Sequence, residues 1–342
     1  RRGDAHRMMR WLWTSRRLSA RAVRAVLLPA SVLWQGGMAA RRWAYRQRWT
    51  TVQQLPLPSV AIGNLSVGGS GKTPIAAWVA AYFAARGLRP GILLRGVGGD
   101  EAEVHRELLP DAIVVADPDR RAGATRAVAE GADVLVLDDA FQRLDVARDL
   151  NICLVSAESS HAVKWPLPAG PWREGLTALA RADLVMVTRK RADHATARRL
   201  ADQLQQTARR PVVMVRLDLS LLRGLVSGKE YPVTGLTGQR IVAASAIADP
   251  EAFVAQLKGL GAQVQVATWK DHHDFRDEDI AWLAHATRRA DRVVITAKDA
   301  VKLRGRWPSS VLEPLVAMLE VGFEAGEADL RDALDRVVAR HV

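Results

Sequence analysis

Residues 59–63 (Ser-Val-Ala-Ile-Gly) form an apolar run that leads into Asn64-Leu65-Ser66-Val67-Gly68-Gly69-Ser70-Gly71-Lys72-Thr73, and a helical pattern follows over 72–86. A strand, a glycine-rich loop and a helix opening on Gly-Lys-Thr together make a phosphate-binding device. The glycines let the backbone curl with its N–H groups inward, and the helix N-terminus favours an anion. Ser66, Val67, Gly68, Gly69, Ser70, Gly71, Lys72 and Thr73 are therefore the candidate nucleotide-binding residues. Lys72 reaches the β- and γ-phosphates in this reading, and Thr73 places its hydroxyl on Mg²⁺. The general pattern has glycine five residues before Gly71, where this chain has Ser66. The strand before and the helix after argue against an ordinary glycine-rich turn.

A second apolar run, 134–137, ends in Asp138-Asp139. Strand-end carboxylates near a phosphate loop hold the shell of a magnesium ion. Solvated loop acids are the alternative.

From residue 58 short apolar runs alternate with helical patterns. The expected strands are 59–63, 91–94, 112–116, 134–137, 151–155, 184–188 and 212–217; the expected helices include 72–86, 120–130 and 194–207. Apolar strands without polar alternation, separated by helices, imply an α/β fold with a mostly parallel sheet covered on both faces. Cys153, the one cysteine, sits inside the run 151–155 and reads as a core residue; a lone cysteine excludes an internal disulfide framework and a cysteine-based zinc site. Glycines 224, 228, 235 and 238 loosen the pattern and suggest a hinge over 219–240. Beyond it come strand 241–245, helix 250–260, strand 263–267, helix 278–287, strands 292–296 and 316–321, and a closing helix 327–338. The expected organisation is a basic segment 1–50, a nucleotide-binding domain 51–218, the hinge, and a smaller α/β domain 241–342.

The net charge of +12 suggests nucleic acid until it is located. Residues 1–50 hold 12 Arg and one acid, Asp4, while the rest holds 37 Lys+Arg against 36 Asp+Glu. The body is near neutral, so the expectation is no nucleic-acid partner. Within the basic segment, 25–40 is an uncharged run flanked by Arg24 and Arg41, with Trp11, Trp13, Trp34 and Trp43 nearby. As a helix that run is about 24 Å long, short of a bilayer core of ~30 Å. Arg and Trp at the ends of an apolar stretch anchor a helix at a membrane interface. Pro29, Gly36 and Gly37 weaken a regular helix there. The reading is membrane attachment, by spanning or by lying flat.

An ordered set of segments resembles one family, the tetraacyldisaccharide 4'-kinases, also called lipid A 4'-kinases. It comprises the loop with Pro74 after it, Leu94-Arg95-Gly96, Ala116-Asp117-Pro118-Asp119-Arg120, and Leu137-Asp138-Asp139-Ala140-Phe141-Gln142-Arg143 with Ala147-Arg148-Asp149-Leu150. Then follow 167–174 (Leu-Pro-Ala-Gly-Pro-Trp-Arg-Glu), Ala246-Ile247-Ala248-Asp249-Pro250, Asp271-His272-His273 and Thr296-Ala297-Lys298-Asp299-Ala300. The resemblance runs from about residue 20 to 322, and that family also lacks the first loop glycine.

The resemblance implies a P-loop NTPase-type domain, a second smaller α/β domain that closes on it, and a membrane-associated N-terminal helix. It implies that ATP and Mg²⁺ are used to phosphorylate the 4'-hydroxyl of an acylated disaccharide 1-phosphate lipid. The place implied is the cytoplasmic face of the inner membrane. It implies catalytic roles for Asp100, in Gly99-Asp100-Glu101, and for His272, in Asp271-His272, beside Lys72. A His bonded to a carboxylate can hold it and relay a proton. It places Arg173 and Glu174 near the phosphates or Mg²⁺, so that Thr73, Asp138, Asp139 and Glu174 are the metal candidates. The chain departs from the family in a contracted stretch between Arg95-Gly96 and Asp100 that lacks a usual Tyr, and at Ala140, Arg143 and Ala297. Two alternatives stay open: a P-loop kinase with another acceptor, and a membrane-bound nucleotide-binding module without catalysis.

Overall fold

The computed structural model describes residues 8, 9, 11–96, 100–159 and 164–340. The chain divides into two compact units, Arg1–Arg216 with Phe323–Val342, and Leu217–Gly322. The domain boundaries read from the sequence differ from this in two ways. Residues 219–240 belong to the second unit instead of linking two domains, and residues 323–342 return to the first. The cause of the return is side-chain chemistry: Trp78 packs edge-on against Phe323, and the Tyr82 hydroxyl bonds Asp335 at 2.9 Å.

The first unit opens with helix α1 (Leu18–Arg46). Its sheet strands are β1 (Ser59–Asn64), β2 (Pro90–Leu94), β3 (Ile113–Ala116), β4 (Val134–Leu137), β5 (Leu150–Ser156), β6 (Leu184–Arg189) and β7, which starts at Val212 and runs on to Gly224. Helices α2 (Lys72–Ala84), α3 (Asp100–Leu108), α4 (Arg120–Ala129) and α5 (His194–Ala208) connect them. The strand order is β7-β6-β5-β1-β4-β2-β3, parallel throughout. β1 is buried along its whole length, as its apolar run requires. It has β4 on one side and β5 on the other, so the chain fills one side and then the other of β1. Ligands of open parallel sheets bind beyond the carboxyl ends of the strands at such a reversal. The Gly-Lys-Thr loop leaves the carboxyl end of β1.

Pro29, Gly36 and Gly37 lie inside α1 without ending it. Tertiary bonds offset their weak helix propensity. Arg24 donates to the carbonyls of Leu12 (2.6 Å) and Ser15 (2.9 Å). Ser31 donates to Pro166 O and accepts from the Ala169 N–H. The Trp34 indole donates to Arg173 O at 2.9 Å.

The second unit contains β8 (Glu230–Pro232), β9 (Arg240–Ser245), α6 (Pro250–Gly259), β10 (Gln263–Thr268), α7 (Asp277–Ala286), β11 (Arg292–Thr296), α8 (Ala297–Leu303) and most of β12 (Leu315–Ala325). Its parallel order is β10-β9-β11-β12. The chain re-enters the first unit at the end of β12 and finishes in α9 (Glu327–Ala339).

Candidate active site

The phosphate loop is held in shape by side chains from three segments and by main-chain bonds from a fourth. Asn64, the last residue of β1, donates to Ser66 O and to Ser70 Oγ, both at 2.7 Å. The Thr188 hydroxyl at the end of β6 donates to Ser70 O at 2.9 Å, and Lys190 Nζ donates to Gly69 O at 2.9 Å. Gln142 donates to Asn64 O at 2.6 Å. The segment 166–173 lies alongside, with Val67 N–H bonded to Pro171 O and Arg173 N–H to Leu65 O. Ser66, the non-glycine of the motif, pairs in this bridge with Trp172. Gly71 has φ 84° as the residue preceding α2, a conformation that favours glycine. Gly63 allows a different close approach: a Cβ there would lie 2.6 Å from Phe141 Cβ.

Lys72 and Thr73 open α2, and Lys72 Nζ stands 3.7 Å from Asp139 Oδ1. Arg173 Nη1 lies 3.4 Å from the same oxygen. Asp139 sits in the left-handed region at φ 51°, which Asp tolerates better than most residues and which turns the chain sharply after β4. Asp138 is buried, and His105 Nε2 of α3 meets its Oδ2 at 3.1 Å. Behind it the buried Arg120 guanidinium donates to Asp117 O (2.9 Å) and approaches Asp138 O at 3.4 Å. Burial, with Arg143 near, pushes the Arg120 pKa down to about 10, still far above neutrality, so it remains a fixed cation under the carboxylates.

Asp100 begins α3 and is buried. It precedes His105 by five residues, about 7.5 Å along a helix axis. One short helix therefore carries the candidate base and a direct contact to Asp138. Gly99 of its motif lies outside the described residues. Glu174 turns to other partners than its neighbour Arg173. Its carboxylate accepts from Arg42 at 3.0 Å and from both terminal nitrogens of Arg181 at 2.9 and 2.7 Å.

His272 belongs to the second unit. It is half-exposed, with φ 58°. Its N–H donates to Ala246 O, and the Ala246 N–H donates to the buried Asp299. Asp271 Oδ2 lies 3.9 Å from its ring. The adjacent His273 is bonded to Asp279 at 2.9 Å and stacked on Trp269.

The first unit thus brings together the loop, Lys72, Thr73, Asp138, Asp139 and Arg173. A family model described as tetraacyldisaccharide-1-P 4'-kinase matches residues 23–108 and 97–339. This chain belongs to that family. The two matched segments overlap at 97–108. The tetraacyldisaccharide 4'-kinase of Anaeromyxobacter sp. (strain Fw109-5) is 36% identical over 92% of this chain and 92% of its own. That of Pelobacter propionicus is 33% identical over 96% of both. The solved structure of LpxK from Aquifex aeolicus in complex with ATP superposes with a TM-score of 0.71 at 26% identity, over 92% of this chain and 99% of that one.

Sequence reasoning missed Asn64, His105, Gln142, Thr188 and Lys190 as supports of this 4'-kinase site. Asn64 and Gln142 stood inside recognised motifs, but polar residues carry no signal of what they hold. His105 had none, since helix α3 itself was not expected.

Proposed function

We propose that this chain transfers the γ-phosphoryl group of ATP to the 4'-hydroxyl of a tetraacyldisaccharide 1-phosphate, at a membrane surface. The observation that carries the reading is the Lys72–Asp139–Arg173 cluster at the mouth of the braced loop. The backbone N–H groups of 66–73 cradle the phosphate chain, and Lys72 neutralises the β/γ bridge. The donor set also fits Mg²⁺. Thr73, Asp138 and Asp139 offer hard oxygens, and no cluster of three His, Cys, Asp or Glu that could hold a metal occurs among the described residues. Mg²⁺ takes one or two carboxylates and completes its shell with phosphate and water. When bound it supplies charge neutralisation between the phosphates. Glu174, held by two guanidinium groups, supports the segment that carries Arg173. Arg173, 3.4 Å from Asp139, would add positive charge for the phosphoryl group in flight.

Asp100 accepts the proton of the attacking hydroxyl as its oxygen bonds to phosphorus and the bond to the ADP oxygen breaks. His272 serves as the partner of that carboxylate, a role that rests on the family resemblance. Transfer of label from γ-labelled ATP to the disaccharide in detergent micelles tests the reading. Intact ATP binding without transfer would move the assignment to another acceptor or to a non-catalytic nucleotide module.

The membrane part rests on α1. Leu18, Val26, Val32 and Leu33 are exposed along it, with Trp34 and Trp43, and Trp49 is exposed just beyond its end. Among the described residues no helix is long and apolar enough to cross a membrane. A helix with one face bonded to its own protein and the other apolar lies in the interface plane, next to the cytoplasmic leaflet where ATP is found. Val26→Asp with Leu33→Asp should release the protein from vesicles. Unchanged vesicle binding would place the attachment elsewhere.

A further inference from the structure

Asp138 and Asp139 follow the same strand, β4, but they are held from different sides. Asp139 is partly exposed and faces two cations, Lys72 at 3.7 Å and Arg173 at 3.4 Å. Asp138 is buried and meets an imidazole, with His105 Nε2 3.1 Å from its Oδ2. A carboxylate only accepts, so the shared hydrogen is carried by Nε2.

The backbone of Asp138 is fixed without His105. Its N–H donates to Leu93 O at 3.0 Å, and its carbonyl faces the Arg120 guanidinium at 3.4 Å. Those bonds do not set the rotation of the carboxylate about its side-chain bonds. The His105 contact acts on that rotation.

Packing does not account for the imidazole. His105 is fully buried in α3, as Ala102 and Val104 are largely buried beside it in the chain. Its Nδ1 meets no hydrogen-bond partner among the described residues. A buried polar atom left unmet is unfavourable, whereas an apolar side chain of similar length would fill the place without that penalty. The bond to Asp138 is what a histidine adds here.

We propose that His105 is a positioning residue for the metal: by donating to Oδ2 it fixes the Asp138 carboxylate in the orientation that Mg²⁺ requires. The assignment rests on the metal role given to Asp138 in the proposed function. Mg²⁺ demands a near-octahedral shell and takes only one or two carboxylates, so one misdirected carboxylate removes much of what the protein offers it. Groups that hydrogen-bond a metal ligand set affinity by orienting that ligand.

The experiment measures ADP binding by titration calorimetry, on the full chain in neutral detergent micelles, with Mg²⁺, with Ca²⁺ and with EDTA. Wild type is compared with His105→Gln, His105→Met and His105→Asn. His105→Met should weaken binding in Mg²⁺ by about 10- to 100-fold, the usual loss for a residue that orients a metal ligand. Its affinity in EDTA should be unchanged. Ca²⁺ accepts irregular coordination, so the loss in Ca²⁺ should be smaller than in Mg²⁺. His105→Gln puts an amide donor near the place of Nε2 and should retain most of the Mg²⁺-dependent affinity. His105→Asn reaches only the place of Nδ1 and should behave like His105→Met, which keeps the test open if the Met variant does not fold.

Equal losses in Mg²⁺, Ca²⁺ and EDTA would overturn the assignment, since a histidine that only supports the packing of α3 gives that pattern. So would full Mg²⁺-dependent affinity in His105→Met or His105→Asn, or a loss in His105→Gln as large as theirs. Wild type that bound ADP no more tightly in Mg²⁺ than in EDTA would instead refute the metal role of Asp138 itself, a result that no His105 variant can mimic. Failure of transfer to the disaccharide would refute the acceptor and leave these titrations as they stand.

Discussion

The phosphate-loop corner of the first unit is cross-braced by side chains, and the histidine loop of the second is tied through its backbone to Ala246. Around the loop, Asn64, Gln142, Thr188 and Lys190 each fix a backbone carbonyl, and the 166–173 segment adds main-chain bonds. His272 is instead half-exposed, on a turn where its own neighbour His273 takes the tight carboxylate contact. A phosphate cradle does its work by being in place before the charge moves, so cross-bracing favours it. The two regions also share one device, a non-glycine residue at positive φ, Asp139 in one and His272 in the other.

The largest expected effect tests the braced corner. Lys72→Ala should lower turnover by on the order of 10³-fold or more, the scale of losing a transition-state cation. A loss below tenfold would mean that Arg173 or another cation does the work assigned to Lys72. The contrast between the regions then sharpens in a pair of variants. Asp100→Asn should cut kcat by about 10²–10⁴-fold with ATP affinity retained. His272→Gln should cost less, about 10–10²-fold, since the role proposed for it is to orient the base without taking the proton. The double variant should lose little beyond Asp100→Asn alone, as expected of residues acting as one unit. Additive losses would separate them into independent roles. An equal fall in ATP affinity with Asp100→Asn would show that this carboxylate is not the base.

A smaller effect concerns how tightly β1 is packed. Gly63→Ala would place a methyl 2.6 Å from Phe141 Cβ and 2.7 Å from Phe141 N, and the second contact is backbone that cannot swing away. The expected cost is about 1–3 kcal/mol in chemical denaturation. A neutral substitution would show that the corner is softer than its hydrogen bonds suggest.

Much of this architecture was legible in the sequence because burial writes periodicity. The runs 134–137 and 292–296 are strands over those same residues, and the other expected strands shift mostly at their ends. Helix α3 was not legible: its first turn is acidic, Asp100, Glu101 and Glu103, and it presents no long apolar stripe. The return of residues 323–342 to the first unit was hidden for another reason. It depends on the contacts of Phe323 and Asp335 with α2, which no local pattern encodes. At the site, Lys72 and Asp139 could be read from their motifs. The partners of Glu174 could not, since Arg42 and Arg181 are far from it in the chain or carry no motif of their own.

The smallest effect lies under the histidine loop. Asp299 is fully buried, accepts from the Ala246 N–H and from Thr296, and has Lys302 nearby; burial still pushes its pKa up to about 6. The folded state therefore holds this proton more tightly than the unfolded chain. Its contribution is favourable at low pH and is lost as pH rises from about 4 through about 6. Asp299→Asn keeps an acceptor for the Ala246 N–H and removes the titration. Its melting temperature should change less between pH 4 and pH 6.5 than that of wild type, and above pH 6.5 the variant should gain relative to wild type. Parallel pH profiles for the two proteins would show that Asp299 is ionised throughout. Ala246 would then be held by a carboxylate whose charge the fold already compensates, and the second region would be as firmly built as the first.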